Sequence, residues 1–440
     1  MKDSGIEWIG EIPEGWEVSK LKYLGRYVNG YPFKPDDWGD KGKPIIRIQD
    51  LTGSTDSPNY YDGDIDAKYH IKNGDILVSW AATLDAFIWN KGDGLLNQHI
   101  FKAIPQEEKI TSYFFFWMIK EAMQNMNNDN KHGIFMQHVT LDVFNNFSVP
   151  LPPLSEQKRI ATYLFQKISE ADIMLDDTLS SITGYKKLKQ AVITQAVTKG
   201  VRGEREMKDS GVECIGKIPT AYSICKLKYL LKNPLKYGAN ESGIPYSDSL
   251  PRYIRITDIT PDGNLKYTGK LSLSEESAKD YILEDGDILF ARSGATVGKT
   301  FIYYQSYGRS AYAGYLIKAS LNNKVSPKFV YYYTCSSLYE IWKNSIFIQS
   351  TIQNIGADRY ANLPVPVPKT LQEQEEIADY LDAKCAEIDG LIAKKEQLVK
   401  ELESYKKSLI YEVVTGKWAG GYEGSVSTPD KRGVDEFYGY

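Results

Sequence analysis

Cysteine is scarce: four residues in 440, at Cys214, Cys225, Cys335 and Cys385, none in a CxxC pair. That spacing excludes a zinc-ligand cluster and a disulfide framework, and predicts free thiols in a reducing cytosol. Histidine is equally rare, at His70, His99, His132 and His138, with no HExxH. No apolar run approaches the roughly 18 residues of a membrane span. The opening MKDSGIEWIGEIPEGW has no apolar core, so a secretory signal is not expected. An excess of positive charge is also missing, since 53 Lys and Arg face 57 Asp and Glu, a net of −4. Nucleic-acid binders are usually basic, so the location of the charge matters. Residues 371–417 hold seven Lys and eleven Asp/Glu, and 7 − 11 = −4, the formal charge of the whole chain. The remainder is neutral overall and free to carry a basic face.

Catalytic motifs are absent as well. Ser293–Thr300 reads SGATVGKT, but a phosphate-binding loop needs four residues between its glycines, and Gly294 and Gly298 have three. The stretch also lies between strand-like GDILFAR and FIYY, where a phosphate loop would lead into a helix. Glu107-Glu108-Lys109 is half of a nuclease motif with no Pro-Asp nearby, and Asn233-Pro234-Leu235-Lys236 is not an amino-methyltransferase motif. No Ser/His/Asp or Cys/His arrangement stands out. The expectation is a chain with no catalytic activity, metal or cofactor of its own.

What the sequence does contain is itself, twice. Residues 1–24 and 207–230 are identical at 15 of 24 positions, at an offset of 206. EQKRIATYLFQKISEAD (156–172) and EQEEIADYLDAKCAEID (373–389) share nine of 17, at an offset of 217. The second half is therefore 11 residues longer between the two repeats. Each half runs from an MKDSG motif through a variable region to a Pro-rich hinge (149–154 and 363–368) and then a helix. This order implies approximate twofold symmetry within one chain.

The helices are the clearest elements. Ile160, Leu164, Ile168, Ala171, Leu175, Leu179 and Ile182 step by three or four, as do Ile377, Leu381, Cys385, Ile388 and Ile392, with Val399 and Leu402 continuing the stripe. That is a seam facing another helix. Thr370 and Glu373 form a capping box, and Ser155 is the expected N-cap of the first helix. Helices of this length, ~65 Å at 1.5 Å per residue, cannot be buried in a small domain and most simply pair antiparallel. Strands are predicted at Lys43–Leu51, Arg252–Ile259, Gly74–Trp80 and Gly286–Arg292, and helices at Ser112–Met126 and Pro327–Trp342. The fold class is α+β: two pseudo-symmetric mixed α/β domains (1–150 and 201–366), two long antiparallel coiled-coil helices separating them (151–200 and 367–417), and a tail (418–440).

PLPPLSEQKRIATYL followed by a helix ending AVTKG, its second copy PVPKTLQEQEEIADYL…VVTGK, and the opening SGIEWIGEIPEGW resemble hallmarks of the specificity (S) subunits of type I restriction–modification enzymes. RSGATVGKT and NQHIFKAI resemble pieces of their target-recognition domains. The second copy departs in having Cys214 and Tyr222 where the first has Trp8 and Trp16, and the tail matches nothing interpretable. The resemblance implies that each domain reads one half of a bipartite, asymmetric sequence in double-stranded DNA. It implies that the helices act as a spacer and dock two methyltransferase (M) subunits, which carry S-adenosylmethionine and methylate adenine. Motor-nuclease (R) subunits would join with ATP and Mg, all in the cytoplasm, with no membrane involved.

Base edges are read by polar and aromatic side chains. The candidates are Arg47, Gln49, Trp80, Gln98, His99, Lys131, His132, Gln137 and His138 in the first domain. In the second they are Arg255, Thr257, Arg292, Ser293, Thr296, Lys299, Arg309, Gln349 and Asn354. Gln98 and His99 have an alternative role as buried, hydrogen-bonded residues. Two other functions remain open: a coiled-coil scaffold that binds proteins and no DNA, and the recognition end of a fused restriction–methylation enzyme. Two full halves and no methyltransferase motif argue against the fused enzyme.

Overall fold

A computed structural model of the chain describes residues 1–55, 57–130, 139–260, 263–294, 296–348 and 354–418. It divides into two compact units. One is Met1–Asp177 with the chain from Leu398 onward, and the other is Thr178–Gln397. Each unit thus takes the first part of one long helix and the last part of the other, a grouping that contiguous boundaries do not express.

The units repeat one topology. In the first, an antiparallel sheet is ordered Gly25–Asn29, Ile100–Pro105, Ile76–Ser79, Asp85–Ile88. In the second, the same order is Lys236–Tyr237, Leu316–Ala319, Ile288–Ala291, Thr300–Ile302. A second sheet in each contains one parallel pair, Lys43–Ile46 with Gly94–Leu96 and Arg252–Ile254 with Ser310–Tyr312. The Ile288–Ala291 strand reads ILFA and is buried at every position, as expected where both faces of a strand are covered. All four expected strands are shorter than predicted: Gly74–Trp80 narrows to Ile76–Ser79 and Gly286–Arg292 to Ile288–Ala291, and the other two lose their C-terminal parts. These two stop at Ile46 and Ile254, and the chain turns into short helices, Ile48–Leu51 and Ile256–Asp258. The cause is the same in both. The Arg47 and Arg255 N–H groups donate to the side chains of Asp50 and Asp258, both at 2.8 Å, which caps a helical turn. The aromatic segment 112–126 is helical within Ser112–Asn130, whereas its counterpart is two helices, Pro327–Thr334 and Ser337–Ile348.

The expected hinges are strands. Ser148–Leu151 pairs antiparallel with Glu17–Lys20, and Pro364–Pro368 with Tyr222–Lys226. Proline cannot donate to a ladder, but in an antiparallel pair alternate residues face the partner. Leu363 O accepts from Leu227 N, which puts Leu363, Val365 and Val367 on the bonded side and all three prolines on the other. The Pro368 carbonyl instead accepts from Gln374 Nε2.

The long helices are Leu154–Lys199 and Leu371–Val414. Ser155 lies inside the first helix rather than capping it; Glu156 and Gln157 donate to the Pro153 carbonyl. Thr370 does cap the second, its Oγ1 accepting from Glu373 N at 3.3 Å. In the first unit Ile160, Leu164 and Ile168 share a core with Leu409, Ile410, Val413 and Val414. Ion pairing of Asp172 with Lys406 and ring contact of Tyr163 with Trp418 make the pairing antiparallel. In the second unit Ile193, Ala196 and Val197 share a core with Ile377, Leu381 and Cys385. There the contacts Arg202–Glu376, Lys189–Asp389 and Lys186–Glu396 again run in opposite directions. Of the seam, Ile182, Ile388, Ile392 and Leu402 are buried, while Leu175 and Val399 are half-buried. Leu179 is exposed and Thr178 is buried beside it, so the apolar stripe is offset by one residue there.

The repeated Glu-Gln is what fastens each helix to its domain. Gln157 is buried. Its Oε1 accepts from Thr111 N (2.8 Å), and its Nε2 donates to the Lys109 and Pro152 carbonyls (3.0 and 2.9 Å). Gln374 repeats the set with Ser326 N (2.8 Å) and the Lys324 and Pro368 carbonyls (3.4 and 3.1 Å). Glu156 accepts from Trp16 Nε1, and Glu373 accepts from the Tyr222 hydroxyl, both at 3.0 Å. The Trp-to-Tyr departure between the copies therefore preserves a hydrogen bond. All four cysteines are free thiols, and burial pushes those of Cys335 and Cys385 up to about 11.

Candidate nucleic-acid interface

Backbone hydrogen bonds align the units residue by residue. Trp80 donates its N–H to His99 O (3.4 Å) and accepts from Val139 N (3.1 Å). Arg292 donates to Tyr315 O (3.1 Å) and accepts from Ile355 N (2.8 Å). Trp80 and Arg292 therefore occupy one position, at the end of equivalent strands, and His99 and Tyr315 another. Gly30 N bonds Ile100 O as Gly238 N bonds Leu316 O, so Asn29 corresponds to Tyr237. Both glycines are forced by a crossing. A Cβ would lie 2.0 Å from Asn97 O at Gly30 and 2.3 Å from Ala313 O at Gly238.

In the first unit the Trp80 and His99 rings meet edge to face, 5.4 Å between centroids, and Gln98 Nε2 lies 3.3 Å from His99 Nε2. His99 is exposed and Gln98 half-buried, so neither is the buried residue of the alternative reading. The hairpin turn after Trp80 contains Ala82 at φ 59°, which makes it the one non-glycine residue at positive φ among those described. Arg47 lies over the Trp38 ring at 5.7 Å, with its Nε 3.8 Å from Asp50. Gln49 is exposed on the short helix that follows, away from Trp80 in the chain.

The second unit brings more of its candidates together. SGATVGKT is a hairpin turn between Ile288–Ala291 and Thr300–Ile302. Its base is clamped by two buried hydroxyls, Tyr360 donating to Ala291 O (2.8 Å) and Tyr339 to Gly298 O (2.7 Å). Ser293 bridges Asn354, which draws Asn354 beside Arg292. The Arg292 guanidinium lies over the Tyr237 ring at 4.9 Å. Thr296 and Lys299 are half-buried in the turn, with Lys299 N bonded to Thr296 O.

Arg255 and Arg309 are differently employed. Arg255 holds Asp258 through two bonds (3.0 and 2.7 Å) and also donates to Gly269 O. Arg309 makes a two-bond pair with Glu275 (2.6 and 2.8 Å). Thr257 is exposed on the short helix after Arg255. Lys131, His132, Gln137, His138 and Gln349 lie outside the described residues. Tyr237 and the Glu-Gln anchors are not among the residues expected from sequence. Tyr237 directly precedes Gly238, the counterpart of Gly30, and the anchors lie inside the repeated EQ of the two helices.

Among the described residues no group of His, Cys, Asp and Glu could hold a metal, and no helix is long and apolar enough to cross a membrane. A twofold-repeated α/β frame presenting different side chains at equivalent turn positions defines a class of protein that displays two reading surfaces. The family model of the type I restriction modification DNA specificity domain matches residues 13–182 and 245–401, and the chain belongs to this family. The EcoBI type I restriction enzyme specificity subunit of Escherichia coli is 24% identical over 428 residues, covering 94% of this chain and 89% of that protein. The putative MjaX specificity subunit of Methanocaldococcus jannaschii is 28% identical over 439 residues, covering 93% and 95%. A chain solved in work on complex assembly and conformational transition of the type I R-M system shares the fold. Its TM-score is 0.71 at 16% identity, covering 93% of this chain and 100% of that one. DNA target recognition is what this family does, and its specificity subunits are in general non-catalytic.

Proposed function

We propose that this chain reads a bipartite, asymmetric DNA sequence, one half with each unit, and performs no chemistry itself. Two methyltransferase subunits bearing S-adenosylmethionine dock on it and methylate adenine. Motor-nuclease subunits using ATP and Mg join them, in the cytoplasm. The observation that carries the reading is the pairing of one repeated frame with unlike side chains at one backbone position, Trp80 in one unit and Arg292 in the other. A protein scaffold would have no need for readers that differ on matched turns, whereas an asymmetric DNA sequence requires it.

Methylome sequencing of a host with and without the chain, alongside its methyltransferase partner, tests the reading. One bipartite motif is expected to appear with the chain. Replacing residues 25–148 with the matching region of a relative should then change one half of that motif and leave the other intact. A change in both halves, or no motif, rejects it.

A further inference from the structure

Arg292 differs from the other arginines nominated as readers. Arg255 and Arg309 each spend their guanidinium on a carboxylate, and Arg47 sits beside Asp50. The Nε atoms of Arg292 and Arg47 are both buried without a hydrogen-bond partner, but among the described residues Arg292 alone of the four has no carboxylate beside it and no side-chain hydrogen bond. Guanidinium groups carry five donors in a planar fork and are seldom left unpaired without a purpose. The fork is nonetheless held in place. Its backbone is bonded on both sides, to Tyr315 O and Ile355 N, and its Cζ lies over the Tyr237 ring, 4.9 Å from the centroid.

Tyr237 is itself fixed by two independent contacts. Gly238 crosses the Ala313 carbonyl so closely that no side chain fits. The Tyr237 hydroxyl accepts from Ala357 N at 3.0 Å, at the start of the short helix Ala357–Ala361. Tyr237 is 41% exposed and Arg292 half-buried, so the pair lies at the surface rather than in the core. An arginine stacked on an aromatic ring, with its donors uncommitted, presents a flat bidentate edge. That edge fits guanine O6 and N7 in the major groove, the one base-pair face with two adjacent acceptors.

We infer that Arg292 reads a guanine in the half-site recognised by the second unit, and that Tyr237 is the positioning residue that holds its guanidinium for that contact. The inference rests on the DNA-reading function proposed above. It assigns one base identity to one stacked pair, and it assigns no such reading to the equivalent position of the first unit, where Trp80 and Asn29 supply no cationic fork.

The test is the methylated motif directed by the full chain with its methyltransferase partner in a host. Arg292→Ala should relax one guanine position in one half-site, with preference for G falling about tenfold or more, and Arg292→Lys, which keeps donors but not the planar fork, should lose less. Tyr237→Leu should relax that same position, and Tyr237→Phe, which keeps the ring but loses the hydroxyl's bond to Ala357 N, should retain more of the preference than Tyr237→Leu. The other half-site, unchanged in every variant, reports that the chain has folded and assembled. Three outcomes overturn the inference while the bipartite reading stands. These are an unchanged motif with uniformly weaker methylation in Arg292→Ala, relaxation of different positions by the Arg292 and Tyr237 variants, and a guanine preference no better in Tyr237→Phe than in Tyr237→Leu. If the wild-type chain directs no motif at all, both fall together.

Discussion

In the first unit a tryptophan follows the strand Ile76–Ser79 and meets a histidine edge-on, whereas in the second an arginine follows the strand Ile288–Ala291 and lies over a tyrosine ring. The peptide groups around them make the same bonds. The turns that follow differ in length, with 80–84 joining one pair of strands and 292–299 the other. The frame is thus repeated down to a buried glutamine, while divergence concentrates at strand ends and turns. Such a division lets recognition change without altering the core, because core packing depends on volume and turn side chains do not.

The anchors provide the most severe test of whether the frame is shared. Gln374→Leu would leave Ser326 N and two carbonyls without partners in a buried site, and Gln157→Leu would do the same to Thr111 N. Each should cost about 3 kcal/mol, read as faster amide exchange at Ser326 or Thr111. A cost below about 1 kcal/mol in one unit only would mean that the anchors are not equivalent.

A smaller effect should separate the units by pH. Thr111 matches Ser326, so ten residues on, Glu121 matches Ser336, where the second unit's helix breaks. Glu121 is buried, one oxygen accepts from Asn125 and the other has no partner, and burial pushes its carboxyl up to about 7 from 4.5. The folded chain therefore binds this proton more tightly than the unfolded chain. Stability falls as pH rises from about 4.5 to about 7, and the cost is complete above that. Glu121→Gln should stabilise by on the order of 2 kcal/mol at pH 8, with the gain disappearing toward pH 4.5. Denaturation across that range would show a constant gain if the charge is not the cause. Ser336→Ala should show no pH dependence.

The matched arginines offer a finer contrast. Arg255→Met leaves buried Asp258 without two short bonds, whereas Arg47→Met removes a 3.8 Å contact to Asp50 and the cation over the Trp38 ring. We expect about 1–2 kcal/mol for the first, since Arg255 is partly exposed, and less than half of that for the second. Equal losses in denaturation would show that Trp38 stacking matters as much to Arg47 as the ion pair does to Arg255.

Much of this frame was legible because the sequence states it twice. The long helices, their capping threonine and the paired order of elements follow from periodicity and repeat. The strands at 148–151 and 364–368 were not legible, since alternating prolines read as a hinge until their carbonyls are seen pointing away from the ladder. Nor was the early end of the strands at Ile46 and Ile254, which depends on an aspartate three residues beyond an arginine. The candidate readers were nominated as polar residues near turns. Sequence could not distinguish Arg255 and Arg309, already neutralised, from Arg292, because their partners Asp258 and Glu275 carry no signature of pairing.

The smallest expected effect lies in the two turns themselves. Ala82 holds φ 59°, a region where a Cβ crowds its own carbonyl, whereas Gly294 holds φ 80° in the longer turn with open space around it. Ala82→Gly removes the strain but adds freedom to the unfolded chain, so the net gain should be no more than about 1 kcal/mol. Gly294→Ala makes the opposite exchange, with no neighbour to collide with, and should cost about the same amount. Paired thermal melts of the two variants measure this directly. Equal and opposite shifts would show that both turns demand the same left-handed residue and differ only in length. If Ala82→Gly destabilises, the methyl group at position 82 contributes packing that outweighs its strain, and the shorter turn is built on a different principle from the longer one.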